Sequence, residues 1–264
     1  MGLTVFDYDR DGDLDVFQGN DHQANFMFRN DDDSFREVGV EIGVAVNSHG
    51  QTTGSMHGAI GDVDGDGLID LLVPDLRYGA LYRNLGNGTF EDITEQSGIS
   101  GAFAGKGQWA SALFDYDNDG DLDLFSANGN GEELILQYPL LMENDGKGKF
   151  TDIGFTDSPY FKEKRSGRAA ATWDYDNDGD LDIIVSHVDL KANAVLLRNN
   201  CNNGMHWLGL SLEGKDGPAA AIGATVVVHQ GEKKSVHINQ WTTTYLSNSD
   251  PRLHIGLGEN PKID

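Results

Sequence analysis

Four segments of the chain carry the pattern Asp-x-Asp-x-Asp-Gly-x-x-Asp, over residues 7–15, 62–70, 115–123 and 174–182. A hard divalent cation such as calcium takes six to eight oxygens, so short carboxylates at alternate positions of a curled loop suit it. Position 1 is Asp7, Asp62, Asp115 or Asp174, and position 3 is Asp9, Asp64, Asp117 or Asp176. Position 5 is Asp11, Asp66, Asp119 or Asp178, and position 9 is Asp15, Asp70, Asp123 or Asp182. Gly12, Gly67, Gly120 and Gly179 fill position 6, where a sharp turn needs backbone angles that a side chain resists. Position 7 is Asp13, Leu68, Asp121 or Asp180. Because leucine serves there in one copy, position 7 is expected to ligate through its backbone carbonyl, leaving the side chains of Asp13, Asp121 and Asp180 facing solvent or binding weakly. The expectation is one Ca2+ per loop, four sites in all.

Asp and Gly are ordinary turn residues, and one such loop would be unremarkable. Four in the same phase are not. An EF-hand needs a glutamate at position 12 and flanking helices, whereas position 12 here is Gln18, Val73, Ser126 or Val185. The flanks are short apolar runs, such as Leu3-Thr4-Val5-Phe6 before the first loop and Ile183-Ile184-Val185 after the fourth. Runs of this kind, rich in β-branched and aromatic residues, read as buried strands. Positions 2 and 8 are apolar, Tyr8, Val63, Tyr116 or Tyr175 and Leu14, Ile69, Leu122 or Leu181, so they anchor each loop on a core.

The first residues of the loops are 55, 53 and 59 positions apart, the spacing of a repeated supersecondary unit. Behind each loop a further apolar run ends at an asparagine: Asn30, Asn84, Asn144 or Asn199. Turn-formers follow in the first three copies, then a run opening on Phe35, Phe90 or Phe150. One unit therefore reads as strand, loop, strand, connection, strand, tight turn, strand, a four-stranded antiparallel meander. After Asn199 the expected turn and fourth strand do not appear. Radially arranged four-stranded sheets make an all-β propeller.

At 264 residues with 38% hydrophobic content the chain can bury a substantial core. Its formal net charge is −24, which four divalent ions would reduce to about −16, acidity that disfavours nucleic acid and anionic membranes. The single cysteine, Cys201, excludes an intrachain disulfide. No run of eighteen or more apolar residues offers a membrane span, and no signal peptide is present in this sequence.

The loops, above all Phe-Asp-Tyr-Asp-Asn-Asp-Gly-Asp-Leu-Asp over residues 114–123, resemble the FG-GAP or VCBS repeats of integrin-type β-propellers. The segments around His206-Trp207-Leu208, Ile222-Gly223-Ala224-Thr225-Val226, Tyr245-Leu246-Ser247 and His254-Ile255-Gly256-Leu257-Gly258 resemble the UnbV/ASPIC domain that follows such repeats in the cartilage-acidic-protein family and its bacterial relatives. The resemblance implies propeller repeats over residues 1–200 and a small, incomplete β domain over 201–264, packed on the last blade. Trp241-Thr242-Thr243-Thr244 stands where that domain would carry glycines. It also implies more repeats, about seven blades, so the chain reads as part of a larger array or one completed by partner blades.

No catalytic constellation is visible: eight histidines, among them His22, His49, His57 and His187, are scattered, with no Ser/His/Asp or zinc-ligand spacing. The expectation is a calcium-binding, extracellular or periplasmic repeat protein acting in adhesion, recognition or scaffolding toward an unidentified protein or glycan, and not an enzyme. No Arg-Gly-Asp tripeptide supports an integrin-ligand role. The alternative is a sugar-acting lyase or dehydratase, for which His22, His49 and His57 are the candidate side chains.

Overall fold

The structure is a computed structural model describing all residues except 1, 33, 131–133, 155–157, 189–192, 202, 216–219, 241 and 264. Each repeat forms one antiparallel sheet with its strands in chain order. The first is built from Leu3–Phe6, Asp15–Gln18, Phe26–Asp31 and Ser34–Glu37. Ala59–Gly61, Asp70–Val73, Ala80–Asn84 and Phe90–Asp92 form the second, and Gln108–Phe114, Asp123–Asn128, Leu140–Asn144 and Phe150–Asp152 the third. The fourth has three strands, Gly167–Trp173, Asp182–His187 and Val195–Leu197, so it stops where the sequence pattern stops. The architecture is all-β, with blade-like four-stranded sheets followed by small hairpins.

The loops close in one register. Phe6 pairs with Asp15, Gly61 with Asp70, Phe114 with Asp123 and Trp173 with Asp182, so the residue before position 1 always faces position 9. Strand residues alternate between faces, and here both faces of an internal sheet are buried against neighbouring sheets. Phe6, Tyr8, Phe17 and Met27 of the first repeat share a core with Ile60, Leu71, Tyr82 and Phe90 of the second. Leu72 and Leu81 meet Leu124, Leu140 and Met142, and Phe114 and Phe125 meet Ile183 and Val185. Burial of one such side chain is worth roughly 1.5–3 kcal/mol, so sheet-on-sheet packing dominates the stability of the array.

A polar contact repeats along the same interfaces. The side-chain amide of Asn84 donates to the carbonyl of Tyr8, Asn144 to that of Val63 and Asn199 to that of Tyr116, at 2.8, 2.8 and 2.6 Å. Each asparagine thus reaches position 2 of the loop in the preceding repeat. The first two also bind their own loop, Asn84 at the Ile69 carbonyl and Asn144 at the Leu122 carbonyl.

The C-terminal segment pairs His206–Leu210 with Leu253–Gly258, Thr225–Gln230 with Lys233–Ile238 and Thr242–Thr244 with Ser247–Asn248. Two expected strands shift: Ile222 precedes the strand that begins at Thr225, and Leu246 is a hairpin tip with a φ of 52°. Of the glycine-poor segment, Trp241 lies outside the described residues. The domain does not sit on the last blade alone. Gln240 donates to the Ile60 carbonyl of the second repeat, His254 bonds Asn118 of the third, and Ser249 accepts from the Thr172 amide of the fourth.

Asn144→Ala leaves the buried carbonyl of Val63 and the half-buried carbonyl of Leu122 without this donor, at about 1–3 kcal/mol for the buried one. The Asn30 side chain makes no such contact to another repeat among the described residues, so Asn30→Ala should change stability by a few tenths of a kcal/mol. Urea titration of the two variants checks the contrast.

Candidate metal centres

Each loop folds around its own carboxylates. The position 9 aspartate is buried in all four, and its two oxygens accept from two backbone amides. Asp15 binds the amides of Tyr8 and Asn30, Asp70 those of Val63 and Asn84, Asp123 those of Tyr116 and Asn144, and Asp182 those of Tyr175 and Asn199. One side chain therefore ties the start of the loop to the end of the third strand. Position 1 folds the turn, since Asp7, Asp62, Asp115 and Asp174 each accept from the amide of the position 6 glycine at 2.9–3.1 Å. Those glycines have φ values of 85–100°, the left-handed region that only glycine enters freely.

Carboxylate oxygens converge in every loop. Asp7, Asp9 and Asp15 bring ligand atoms within 4.8 Å of one another, as do Asp62, Asp64 and Asp66, then Asp115, Asp117 and Asp123, and finally Asp174, Asp176 and Asp182. Positions 1 and 3 thus meet in all four copies, joined by position 9 in three and by position 5 in the second. Position 5 caps the turn in all four copies, Asp11, Asp66, Asp119 and Asp178 each accepting from the position 7 amide, and only Asp66 also joins the converging oxygens. Asp70 lies outside the group formed by its own loop.

The position 7 side chains join none of these groups, but they do not simply face solvent. Asp180 accepts from the Asn118 side-chain amide of the preceding loop, and Asp121 lies 3.5 Å from the Lys233 ammonium. Position 4 was not anticipated. Arg10, Gly65, Asn118 and Asn177 all take φ values of 58–72°, and the signal was the glycine and asparagine types that tolerate that region.

The donor set fits a divalent cation on a further observation. One oxygen each of Asp9, Asp115 and Asp176 is buried and has no hydrogen-bond donor among the described residues. Burial first, then neighbouring carboxylates, pushes the position 1 acid Asp115 up to about 8. Burial likewise pushes Asp70 and Asp123 up to about 8, against the pull of the amides that bind them. A cation in the loop would offset that desolvation and repulsion.

The C-terminal domain lies over the loop-bearing edge. His254 Nε2 is 2.7 Å from the Asn118 side-chain oxygen, the Gly258 amide donates to the Asn118 carbonyl, and Arg252 donates to Asn177. A Cβ added to Gly256 would sit 1.9 Å from an Asp115 oxygen, so that strand needs a glycine to approach the third loop. At Gly179 an added Cβ would meet the Trp207 indole at 1.8 Å, and Trp207 in turn stacks on His254.

The candidate histidines are not brought together. His57 is buried, with Nε2 3.0 Å from the Ser111 carbonyl, and desolvation pushes its pKa down to about 4. His22 and His49 are exposed, and His49 lines a shallow cavity with Tyr78 and Asp92 that neither of the other two enters.

The model of the FG-GAP-like repeat matches residues 7–73, 62–126 and 115–185, from the first loop through the second and third sheets to the strand that follows the fourth loop. The chain belongs to the FG-GAP-like repeat family. This FG-GAP-like repeat chain also matches the family described as ASPIC and UnbV, over residues 214–264. It is similar to human Cartilage acidic protein 1, 29% identical over 164 residues, which cover 61% of this chain and 22% of that protein. The Xenopus tropicalis protein of the same name is 26% identical over 246 residues, covering 68% of this chain and 36% of the other. The chain thus spans between about a fifth and two fifths of these curated relatives. The crystal structure of the V. cholerae biofilm matrix protein Bap1 matches at a TM-score of 0.38 and 17% identity, over 85% of this chain and 43% of that one, a likeness too loose to carry an argument.

Gly179→Ala and Gly12→Ala place a methyl at similar φ, 96° and 100°, but only the first strikes a neighbour. Both should lose about 1–2 kcal/mol from left-handed backbone. Gly179→Ala should lose more and alter tryptophan fluorescence by displacing Trp207, whereas Gly12→Ala should leave the spectrum unchanged.

Proposed function

We propose that the four loops are structural calcium sites, and that the chain is a calcium-stabilised extracellular repeat protein serving adhesion, recognition or scaffolding without catalysing a reaction. The observation that carries the reading is the meeting of three carboxylates in every loop, with a buried, undonated oxygen in three of them. Positions 1, 3 and 9 would hold the ion through side chains, with position 5 contributing in the second loop. Calcium, when bound, supplies the positive charge that lets these carboxylates stay ionised together.

Oxygen-only donors and a flexible loop suit calcium better than zinc or copper, which favour histidine and cysteine. Extracellular calcium modules work at roughly 10⁻⁴–10⁻³ M, concentrations found outside the cell and not in cytosol. Broad sheet edges and loops covered by a second domain provide binding surface, while the histidines lie apart. The ligand class proposed is a protein or glycan met at that surface.

Metal removal tests the reading. Asp70, Asp115 and Asp123 have folded pKa values raised to about 8, above the unfolded value near 3.8. Their stabilising contribution in the metal-free chain is full below pH 4 and is lost as pH rises through 8. With chelator, the melting temperature should therefore fall between pH 4 and pH 8, and millimolar calcium should raise it most at the upper end. Identical melting curves with and without calcium at pH 8 would remove the structural-metal reading.

The side-chain ligand positions are tested separately. Asp115→Asn should abolish one of about four calcium equivalents by titration calorimetry. Asp121→Asn, which alters the contact to Lys233 but no side chain of the converging group, should retain all of them. Loss of an equivalent in Asp121→Asn would show that position 7 ligates through its carboxylate.

A further inference from the structure

The last strand of the C-terminal domain, Leu253–Gly258, presents its two faces to different surroundings. Successive strand residues point to opposite sides, and Ile255 and Leu257 are buried with Val228 in the domain's own apolar cluster. His254, Gly256 and Gly258 alternate with them and lie on the third loop. Besides the contacts of His254 and Gly258 with Asn118, a Cβ on Gly258 would stand 3.3 Å from the Asp119 carbonyl oxygen, and one on Gly120 3.2 Å from that of Gly256. The segment leading into the domain holds the same loop, since the Asn203 side-chain amide donates to the Asp117 carbonyl.

Under this strand lies an acid without a counter-charge. Asp115 is 5% exposed, whereas Asp7, at the same position of the first loop, is half-buried. Its Oδ2 accepts from the Gly120 amide, its Oδ1 has no donor among the described residues, and the Lys233 ammonium pairs with Asp121 instead. A carboxylate taken out of water in this way opposes the closure that buries it. Lifting the strand returns Asp115 to water and leaves Ile255 and Leu257 packed on Val228, so opening keeps the domain's own apolar cluster intact.

We infer that the C-terminal domain carries a lid for the third loop: strand Leu253–Gly258 stays closed while Asp115, Asp117 and Asp123 hold a divalent cation, and closure in turn tightens the hold of that one loop on its ion. The inference rests on the reading of the loops as calcium sites. The two effects are one coupling free energy seen from either side, so they are equal in size. Gly256 is the positioning residue, because the strand reaches Asp115 and Asn118 only without a side chain there. Loss of the ion uncovers the His254–Gly258 face and the loop beneath it, so the surface that the repeats and the domain show together depends on calcium.

Carbethoxylation of histidines by diethyl pyrocarbonate, read peptide by peptide in the full chain, follows the lid, and calorimetry on the same protein counts the ions. His254, whose Nε2 is held at Asn118 when the lid is closed, should react about tenfold faster in chelator than in millimolar calcium. His57, buried among the repeats, should stay unreactive in both and reports that the array remains folded. Gly256→Ala keeps every carboxylate but blocks closure, so His254 should react fast even in calcium, and one of about four calcium equivalents should bind about tenfold more weakly. Asp115→Asn removes the charge that opposes closure, so His254 should stay protected in chelator. Equal His254 rates with and without calcium, while about four ions bind, would overturn the lid and leave the calcium reading standing, whereas no bound ion would remove both. The lid is also overturned if His57 becomes reactive together with His254 in chelator, if Gly256→Ala binds every ion with wild-type affinity, or if Asp115→Asn leaves His254 fast in chelator.

Discussion

The aspartate at loop position 9 carries the constraint on which the rest depends. In each repeat this buried carboxylate receives the amide of position 2 and the amide of the asparagine that ends the third strand. Two neutral donors do not replace the water lost by a buried charge, and Asp70 and Asp123 accordingly have strongly raised pKa values. In the second, third and fourth repeats the same asparagine then reaches into the preceding repeat, so the charge that shapes a loop also sets how sheets stack. Loop geometry, strand register and repeat-to-repeat packing are one hydrogen-bonded unit repeated along the chain.

Much of this was legible because loop chemistry and strand chemistry are both local. Alternating carboxylates with glycine at position 6, apolar residues at positions 2 and 8, and an asparagine followed by a turn gave each sheet and its strand order. The absent fourth strand after Asn199 was legible for the same reason, and the sheet indeed ends at Val195–Leu197. The long-range use of the asparagine was not. Nothing local distinguishes a strand-ending turn residue from one whose amide spans 76 residues to the Tyr8 carbonyl.

The placement of the C-terminal domain was hidden for a related reason. Its strands are short and its apolar residues are spread over several hairpins, so the pattern gave a small β domain without saying what it covers. Contact with the repeats combines Val236 and Ile238, which enter the core shared by the first two, with the polar side chains of Gln240, His254 and Ser249 and with Gly256, whose missing side chain admits Asp115. Residue type alone does not mark such positions. His254 is an example: packed over the loops and against Trp207, it is desolvated enough that its pKa falls to about 4, so near neutrality it is an uncharged hydrogen-bonding group beside Asn118.

The four loops are not electrostatically equal. Arginines in or just after the third strand stand beside the second and fourth loops, Arg83 4.0 Å from Asp64 and Arg198 2.6 Å from Asp176. Arg29, at the same strand position in the first repeat, lowers the charge burden on Asp9. The third repeat has Glu143 there, which adds negative charge beside Asp117. Its nearest cation comes from outside the repeat, from Lys233 of the C-terminal domain at Asp121. Of the four, this is the loop that buries its position 1 acid deepest and has a glutamate where the others have an arginine, so a cation bound within it would relieve the most repulsion.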